Sequence, residues 1–278
     1  MGSALVLGGG GVTGIAWTTG LLLGLAEGGV ELTDADLIVG TSAGAAVGAQ
    51  VATGRPLREL FDLQCAVEHH EIAAELDLEV LLPIFSEVRG GDGSPLGAEV
   101  LARIGALALA ATTIAEPARR AVIEARLGTD EWPDRRLLIT AVDAATGELV
   151  VFDGEAGGPG LIDAVAASCA VPGVWPPVTI GDRRFMDGGV RSVANADLVA
   201  GASPAILLAP LGATALPGIE RELAALGDGR TLLVQADAAT QQAIGINALD
   251  PSRRRPSAEA GRRQAADVLD AVQATWLG

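Results

Sequence analysis

Two short apolar strands, each followed at once by glycine and then by a helix, constrain this chain more than any other feature. Ala4 to Leu7 reads as a buried strand, Gly8 to Gly14 as a glycine-rich turn, and Gly14 to Glu27 as a helix that stops at Gly28-Gly29. Leu37 to Val39 is a second strand, and Ala43 to Thr53 a second helix ending at Gly54. Strand, helix, strand, helix in immediate succession requires a parallel pair with crossover helices, so the fold class is α/β with a mostly parallel central sheet. Both glycine turns then fall at the same edge of that sheet.

Composition fits such a layout. Of 278 residues, 49% are hydrophobic and only 3% aromatic, with no tyrosine, so the core is made of Ala, Leu, Val and Ile. A chain of this length buries about three quarters of its unfolded surface. The expectation is one domain over residues 1–278, with helices on both faces of the sheet. From Pro56 to about Gly128 the pattern is helical and carries no motif, which predicts a helical insertion or cap. Strand character resumes at Leu137 to Val142 and Leu149 to Phe152, joined by a turn at Gly147. A helix follows over Leu161 to Ser168, then a hairpin of Val178 to Ile180 and Arg184 to Met186, and strands at Ala205 to Ala209 and Thr231 to Ala236. Ala265, Val268, Leu269, Val272 and Trp276 form the apolar face of a last helix.

The formal charge of −16 arises with arginine as the only cationic side chain, and it argues against nucleic acid as a partner. It equally disfavours electrostatic attachment to anionic lipid, so contact with a membrane or lipid aggregate would be peripheral and apolar. Ala4 to Leu7 lacks a preceding basic residue and breaks into glycine, which does not suit a signal peptide, and no apolar run is long enough to span a bilayer. Cys65 and Cys169 have no metal-ligand spacing and read as free thiols, with a reducing, cytoplasmic compartment as the expectation.

Gly40-Thr41-Ser42-Ala43-Gly44 fits G-x-S-x-G directly after a strand and before a helix. In that context the serine sits on a strained elbow and the flanking glycines make room for neighbouring backbone. Ser42 as a mere helix N-cap is the plain alternative. The helix starting at Ala43 directs its amides and positive dipole end at the serine, and the turn through Gly9, Gly10 and Gly11 is a second source of amides for an oxyanion. Read from Gly9 to Gly14, the same turn spells G-x-G-x-x-G, which keeps a dinucleotide-binding oxidoreductase open. The acidic residue which that reading wants after the second strand is not there, since Asp34 and Asp36 precede it.

A serine nucleophile needs a base. The two histidines, His69 and His70, lie within the helical region, and none follows, whereas in α/β-hydrolases the triad histidine comes last. A carboxylate is the better candidate. Asp187, followed by Gly188-Gly189 on the turn after a strand, has the most accessible setting, ahead of the turn residues Asp143 and Asp153. On the serine-hydrolase reading no cofactor is expected.

Three elements in order, the turn from Gly9 to Gly14, G-T-S-A-G at Gly40 to Gly44, and D-G-G at Asp187 to Gly189, resemble the patatin-like phospholipase family. The segment Ala167 to Gly173, and more loosely Asp250-Pro251 with Gly261-Arg262, look like that family too. The resemblance implies a three-layer α/β/α fold, a Ser-Asp dyad without histidine, and hydrolysis of acyl esters in phospholipids, lysophospholipids or neutral lipids without a metal. Ser42 matches the nucleophile, Asp187 the proton acceptor, and Gly9, Gly10 and Gly11 the oxyanion turn. One departure stands out: the position before Gly14 is usually Arg or Lys in the family and is Thr13 here. Leu78, Val80, Leu81, Leu82, Ile84 and Phe85 are candidates for the walls of an acyl pocket. A scaffold that keeps this fold without turnover also stays open.

Overall fold

A computed structural model describes residues 2–74, 82–84, 86, 95–211 and 219–278. Of the apolar-wall candidates, Leu78, Val80, Leu81 and Phe85 lie outside the described residues. Leu82 is exposed, and Ile84 is buried against Leu101, Ile104 and Met186.

Among the described residues, eight strands form one mixed sheet. They are β1 (Ala4–Leu7), β2 (Leu37–Thr41), β3 (Leu137–Asp143), β4 (Leu149–Phe152), β5 (Val178–Ile180), β6 (Arg183–Asp187), β7 (Ala205–Ala209) and β8 (Thr231–Gln235). The order is β5-β6-β3-β2-β1-β7-β8, with β4 also paired to β3. β1, β2, β3, β7 and β8 are mutually parallel, and β4, β5 and β6 run antiparallel to their neighbours. The central strand β1 has no exposed residue, as a strand covered on both faces should.

Alternation along β1 separates the two apolar layers. Leu5 and Leu7 join one core with α1 (Gly11–Glu27), α2 (Ala43–Ala52) and the last helix, while Ala4 and Val6 join another with Val199, Ile219 and Leu226. The first face is covered by α1, α2, α6 (Leu161–Ser168) and α9 (Arg254–Trp276), and the second by the short 196–199 turn and α7 (Ile219–Ala225). This is the three-layer α/β/α arrangement. Within the 56–128 stretch lie α3 (Leu57–Cys65), α4 (Ala98–Ala110) and α5 (Glu116–Leu127), with α3 against α1 and α9, α4 against β3, and α5 against α2 and α6. A further helix is α8 (Ala238–Ile244).

α9 packs chiefly on α1 and also meets β7 and β8. Small residues allow the close approach: a Cβ on Gly20 would lie 2.0 Å from the Ala258 carbonyl oxygen, and one on Gly261 2.2 Å from that of Trp17. Trp17, fully buried, donates from Nε1 to Gln264 Oε1 at 2.9 Å, so its one polar atom is satisfied.

Candidate active site

Parallel pairing of β1 with β2, in a register that sets Leu7 opposite Gly40, brings the two glycine turns to one sheet edge. α1 begins at Gly11, three residues before the expected start, because Gly14 N–H already closes onto the Gly10 carbonyl at 2.8 Å. Gly11 has φ of 61°, and a Cβ there would lie 2.6 Å from the Ala248 carbonyl oxygen, so this position needs glycine twice over.

β2 ends in an elbow. Ser42 has φ of 54° and ψ of −115°, a conformation costly for any residue with a side chain and one that clusters at functional positions. The flanking glycines are there for room: a Cβ on Gly44 would lie 1.9 Å from the Leu7 carbonyl oxygen, and one on Gly40 2.6 Å from the Ala45 Cα. Both backbone groups of Ser42 are held by one neighbouring segment, its N–H donating to Ser168 Oγ at 2.9 Å and its carbonyl accepting from the Cys169 thiol at 3.2 Å.

Strand lengths explain how Asp187 reaches Ser42. β3 outruns β2, so that Thr140 pairs with Thr41, the last residue of β2, while the next residue, Ala141, pairs with Asp187, the last residue of β6. β2 and β6 thus arrive at β3 from opposite directions and meet end to end. Asp187 is therefore strand-terminal rather than on the turn beyond, which corrects its expected placement. Ser42 is 8% exposed and Asp187 3%. Burial pushes the Asp187 carboxyl up to about 7, against the lowering effect of hydrogen bonds from the Ser42 hydroxyl and the Gly189 N–H. The Gly189 bond to Asp187 Oδ1 is 2.7 Å long. A Cβ on Gly188 would lie 2.4 Å from Thr140 Oγ1, so the first glycine of D-G-G permits close approach to β3.

The glycine turn holds one correction. Gly9 N–H donates to the Val193 carbonyl at 2.9 Å and is committed to the fold, so it is not free for an oxyanion. Gly9 serves by proximity instead, since a Cβ there would lie 3.5 Å from the Cβ of Ser42. The amides of Gly10 and Gly11 have no partner among the described residues. Gly10 and Gly14 both pack on Pro210, where a Cβ would come within 2.7 Å and 3.1 Å of its ring. Thr13 is fully buried, with its N–H and hydroxyl both 3.1 Å from the Ala248 carbonyl. It ties the turn to the loop before α9.

His69 and His70 lie beyond the end of α3 in an irregular, exposed segment, not on a helix as expected, because Ala66 turns extended after Cys65. Neither is among the groups acting on Asp187. Asp143 is fully employed in its turn, accepting from Ala145 N, Thr146 N and Arg183 Nε, and Asp153 accepts from Glu155 N.

Two supporting residues escaped the sequence reading. Ser168 is the acceptor for the elbow. Asn195, fully buried with φ of 52°, directs its amide nitrogen at Ser192 O (2.9 Å), Thr41 Oγ1 (3.1 Å), Thr140 Oγ1 and Gly188 O (both 3.3 Å). It therefore joins the residue before Ser42 to the residue after Asp187. The only sequence signal was an asparagine shortly after D-G-G, a residue type that tolerates the left-handed region.

The model of the patatin-like phospholipase family matches residues 5–200, which contain the glycine turn, the elbow and the D-G-G strand end. This chain belongs to the patatin-like phospholipase family. Among solved structures, Legionella pneumophila VipD is similar at 12% identity and a TM-score of 0.49, over 97% of this chain and 67% of that one. The type III effector protein ExoU is similar at 17% identity and a TM-score of 0.44, over 98% of this chain and 53% of that one. ExoU in its heterodimeric complex with SpcU, from Pseudomonas aeruginosa, gives 19% and 0.44, over 98% and 52%. The chain thus spans about half the length of ExoU. No curated protein matches it. Membership of a patatin-like phospholipase family places the chain among lipid acyl hydrolases in general. Among the described residues, no helix is long and apolar enough to cross a membrane, and no cluster of three or more His, Cys, Asp and Glu has metal-binding geometry.

Proposed function

We propose that this protein hydrolyses carboxylic esters of lipids, as a phospholipase A, lysophospholipase or related esterase, through an acyl-serine intermediate on Ser42 with Asp187 as its base. The observation that carries this reading is the buried Asp187 carboxyl that β6 brings to the elbow, on which the Ser42 hydroxyl acts and whose proton affinity burial raises to about 7. Such a carboxylate is a far better base near neutral pH than an exposed aspartate at about 3.9.

Asp187 takes the hydroxyl proton as Ser42 Oγ bonds to the ester carbonyl carbon. The carbonyl oxygen becomes an oxyanion, met by the amides of Gly10 and Gly11 and by that of Ala43 at the start of α2. The bond to the alkoxide then breaks, and Asp187 returns its proton to that leaving group. Water attacks the acyl-serine with Asp187 again as proton acceptor, freeing the fatty acid and restoring Ser42. With Thr13 where the family usually has a cation, backbone amides carry the oxyanion alone. Contact with lipid aggregates falls to exposed apolar residues such as Ile246, next to the loop that Thr13 holds, and Val67. A cytoplasmic, peripheral setting and a single patatin-like domain over 1–278 complete the proposal.

The test is covalent labelling of the purified protein with a fluorophosphonate, followed by a panel of acyl esters. Labelling at Ser42, with ester turnover that disappears in Ser42→Ala, is the expected result. An unlabelled, folded protein that turns over no ester would leave the silent-scaffold reading.

A further inference from the structure

Three consecutive residues at the end of α6 each hold one backbone group of Ser42 or Asp187. Ser168 Oγ accepts from the Ser42 N–H at 2.9 Å, and the Cys169 thiol donates to the Ser42 carbonyl at 3.2 Å. The Ala170 carbonyl accepts from the Asp187 N–H at 3.0 Å.

The elbow needs such a hold. With φ of 54° and ψ of −115°, Ser42 occupies backbone space that persists only where the surroundings over-determine it. Gly40 and Gly44 give the elbow room but exert no force on it, since they carry no side chain. The bonds from Ser168 and Cys169 fix the peptide groups on either side of the Ser42 Cα, and with them the direction in which its hydroxyl points. Burial makes both bonds hard to replace. Ser168 has no exposed surface and Cys169 is buried, so a Ser42 N–H deprived of Oγ would become a buried donor without a partner. Burial also pushes the Cys169 thiol up to about 12, so it keeps the proton that it donates.

Asp187 needs support for a different reason. The pairing of β5 with β6 stops at Val178 opposite Phe185, so among the described residues no strand flanks Asp187 on the side away from β3. The Ala170 carbonyl fills that place. The segment that does so is itself rigid, because its amides are spent locally: Cys169 N on Val165 O, Ala170 N on Ala167 O and Val171 N on Cys169 O. Val174 and Trp175 just beyond are buried, with the Arg119 guanidinium 4.0 Å from the Trp175 ring centroid.

We infer that Ser168 and Cys169 are positioning residues for the reaction, forming with Ala170 one bracket that sets the Ser42 hydroxyl against the Asp187 carboxylate. The inference rests on the Ser42–Asp187 reading of the site. A displacement of the whole bracket carries both residues together, whereas loss of one side chain frees Ser42 to move against Asp187. Ser168 has no surface for substrate to touch, so its loss should leave binding unchanged.

The test compares Ser168→Ala, Cys169→Ala and Cys169→Ser with the wild type on one short-chain ester, each variant checked for folding by circular dichroism. Ser168→Ala is expected to lower kcat, counted per serine labelled by a fluorophosphonate, by about tenfold to a hundredfold, with KM changed by less than about threefold. Cys169→Ala should lose about threefold to tenfold, and Cys169→Ser, which keeps a donor of nearly the same shape, should restore most of that. If Ser168→Ala does not fold, the two Cys169 variants carry the comparison. Side chains that merely stabilised the fold would change the amount of active protein and not kcat per labelled serine. An unchanged kcat per labelled serine in the folded alanine variants would therefore overturn the inference.

A second readout needs no turnover. Burial raises the proton affinity of Asp187 and the Ser42 hydroxyl lowers it in part, so a loosened Ser42 should let the Asp187 titration midpoint rise. Carbon-13 NMR of aspartate-labelled protein reads that midpoint, with Asp187→Asn assigning the signal. A wild type that is neither labelled nor active on any ester would defeat the hydrolase reading by itself, and the midpoint would then decide the bracket. An upward shift in the alanine variants supports it, and an unmoved midpoint in folded Ser168→Ala and Cys169→Ala overturns it.

Discussion

The Ser42 hydroxyl acts on the buried Asp187 carboxyl, because β2 and β6 meet end to end on β3 and bring the elbow to the end of β6. Neither is held by its own local sequence alone. Ser42 is fixed through Ser168 and Cys169, and Asp187 through Gly189 and the edge of β3. Each of these attachments has a measurable consequence.

Strain at Ser42 predicts a gain in stability when it is released. Glycine reaches φ of 54° without the cost that a Cβ incurs, on the order of 1–3 kcal/mol, while losing roughly 0.5–1 kcal/mol through a freer unfolded chain. Ser42→Gly should therefore be inactive yet melt higher, by about 2–4 °C for each kcal/mol gained. Calorimetry at pH 5, where Asp187 is mostly protonated, keeps its charge out of the comparison. A variant that melts lower than the wild type would mean that no strain is stored at the elbow.

Asp187 predicts two pH dependences of opposite sense. The proposed mechanism requires its ionised form, so kcat/KM should rise with pH and reach half its plateau near 7. Stability goes the other way. The folded pKa, about 7, lies above the unfolded value of about 3.9, so folding retains its proton better than the unfolded chain does. Below about 4 the group is neutral in both states and costs nothing. Between 4 and 7 the unfolded state ionises first, and stability falls by an amount on the order of 4 kcal/mol, complete above 7. Asp187→Asn should thus melt well above the wild type at pH 8, with a gap that narrows as the pH is lowered. A gap independent of pH would show that Asp187 titrates normally.

The histidines predict an absence of effect. His69 and His70 are exposed and neither acts on Asp187, so His69→Ala/His70→Ala should keep most of the turnover of a short-chain ester that Asp187→Asn abolishes. Both variants are compared by circular dichroism for folding. A folded, inactive histidine variant beside an active Asp187→Asn would identify a histidine base and refute the dyad.

How much of this was legible in the sequence depends on range. Strand-glycine-helix units are local, and the positions of β1, β2, Ser42 and the glycines of its elbow follow from a few consecutive residues. Gly40 and Gly44 are readable because a turn that tight excludes a Cβ. The loss of Gly9 as an oxyanion donor was not readable, because its amide is taken by Val193, far away in the chain. Three buried arginines were invisible for the same reason. Arg119, Arg126 and Arg254 look like surface residues of polar helices until α5 and α9 are brought together around Glu71.

Asn195 predicts a positioning effect that separates from binding. Its amide reaches Thr41 Oγ1, one residue before Ser42, and Gly188 O, one residue after Asp187. It hydrogen-bonds neither Ser42 nor Asp187, and substrate has no path to it, since it is fully buried. Its loss should leave the ester bound as before and loosen the alignment of hydroxyl and carboxylate. The informative variant is Asn195→Gly, because glycine accepts φ of 52° and removes the amide without forcing the backbone. Removal also leaves the Arg191 guanidinium without its 2.6 Å contact to Asn195 Oδ1, although Asp197 still holds that cation. The expected outcome is a kcat lower by about tenfold to a hundredfold, with KM changed by less than about threefold. Asn195→Asp, which fits the same turn but replaces the donor by an acceptor, should fare no better and should add a negative charge near Asp187, moving the half-point of the pH profile upward. A variant that merely destabilised the fold would lose active protein at unchanged kcat per labelled serine. Titration of active sites with a fluorophosphonate distinguishes the two, and a normal kcat per labelled Ser42 in Asn195→Gly would remove Asn195 from the catalytic account.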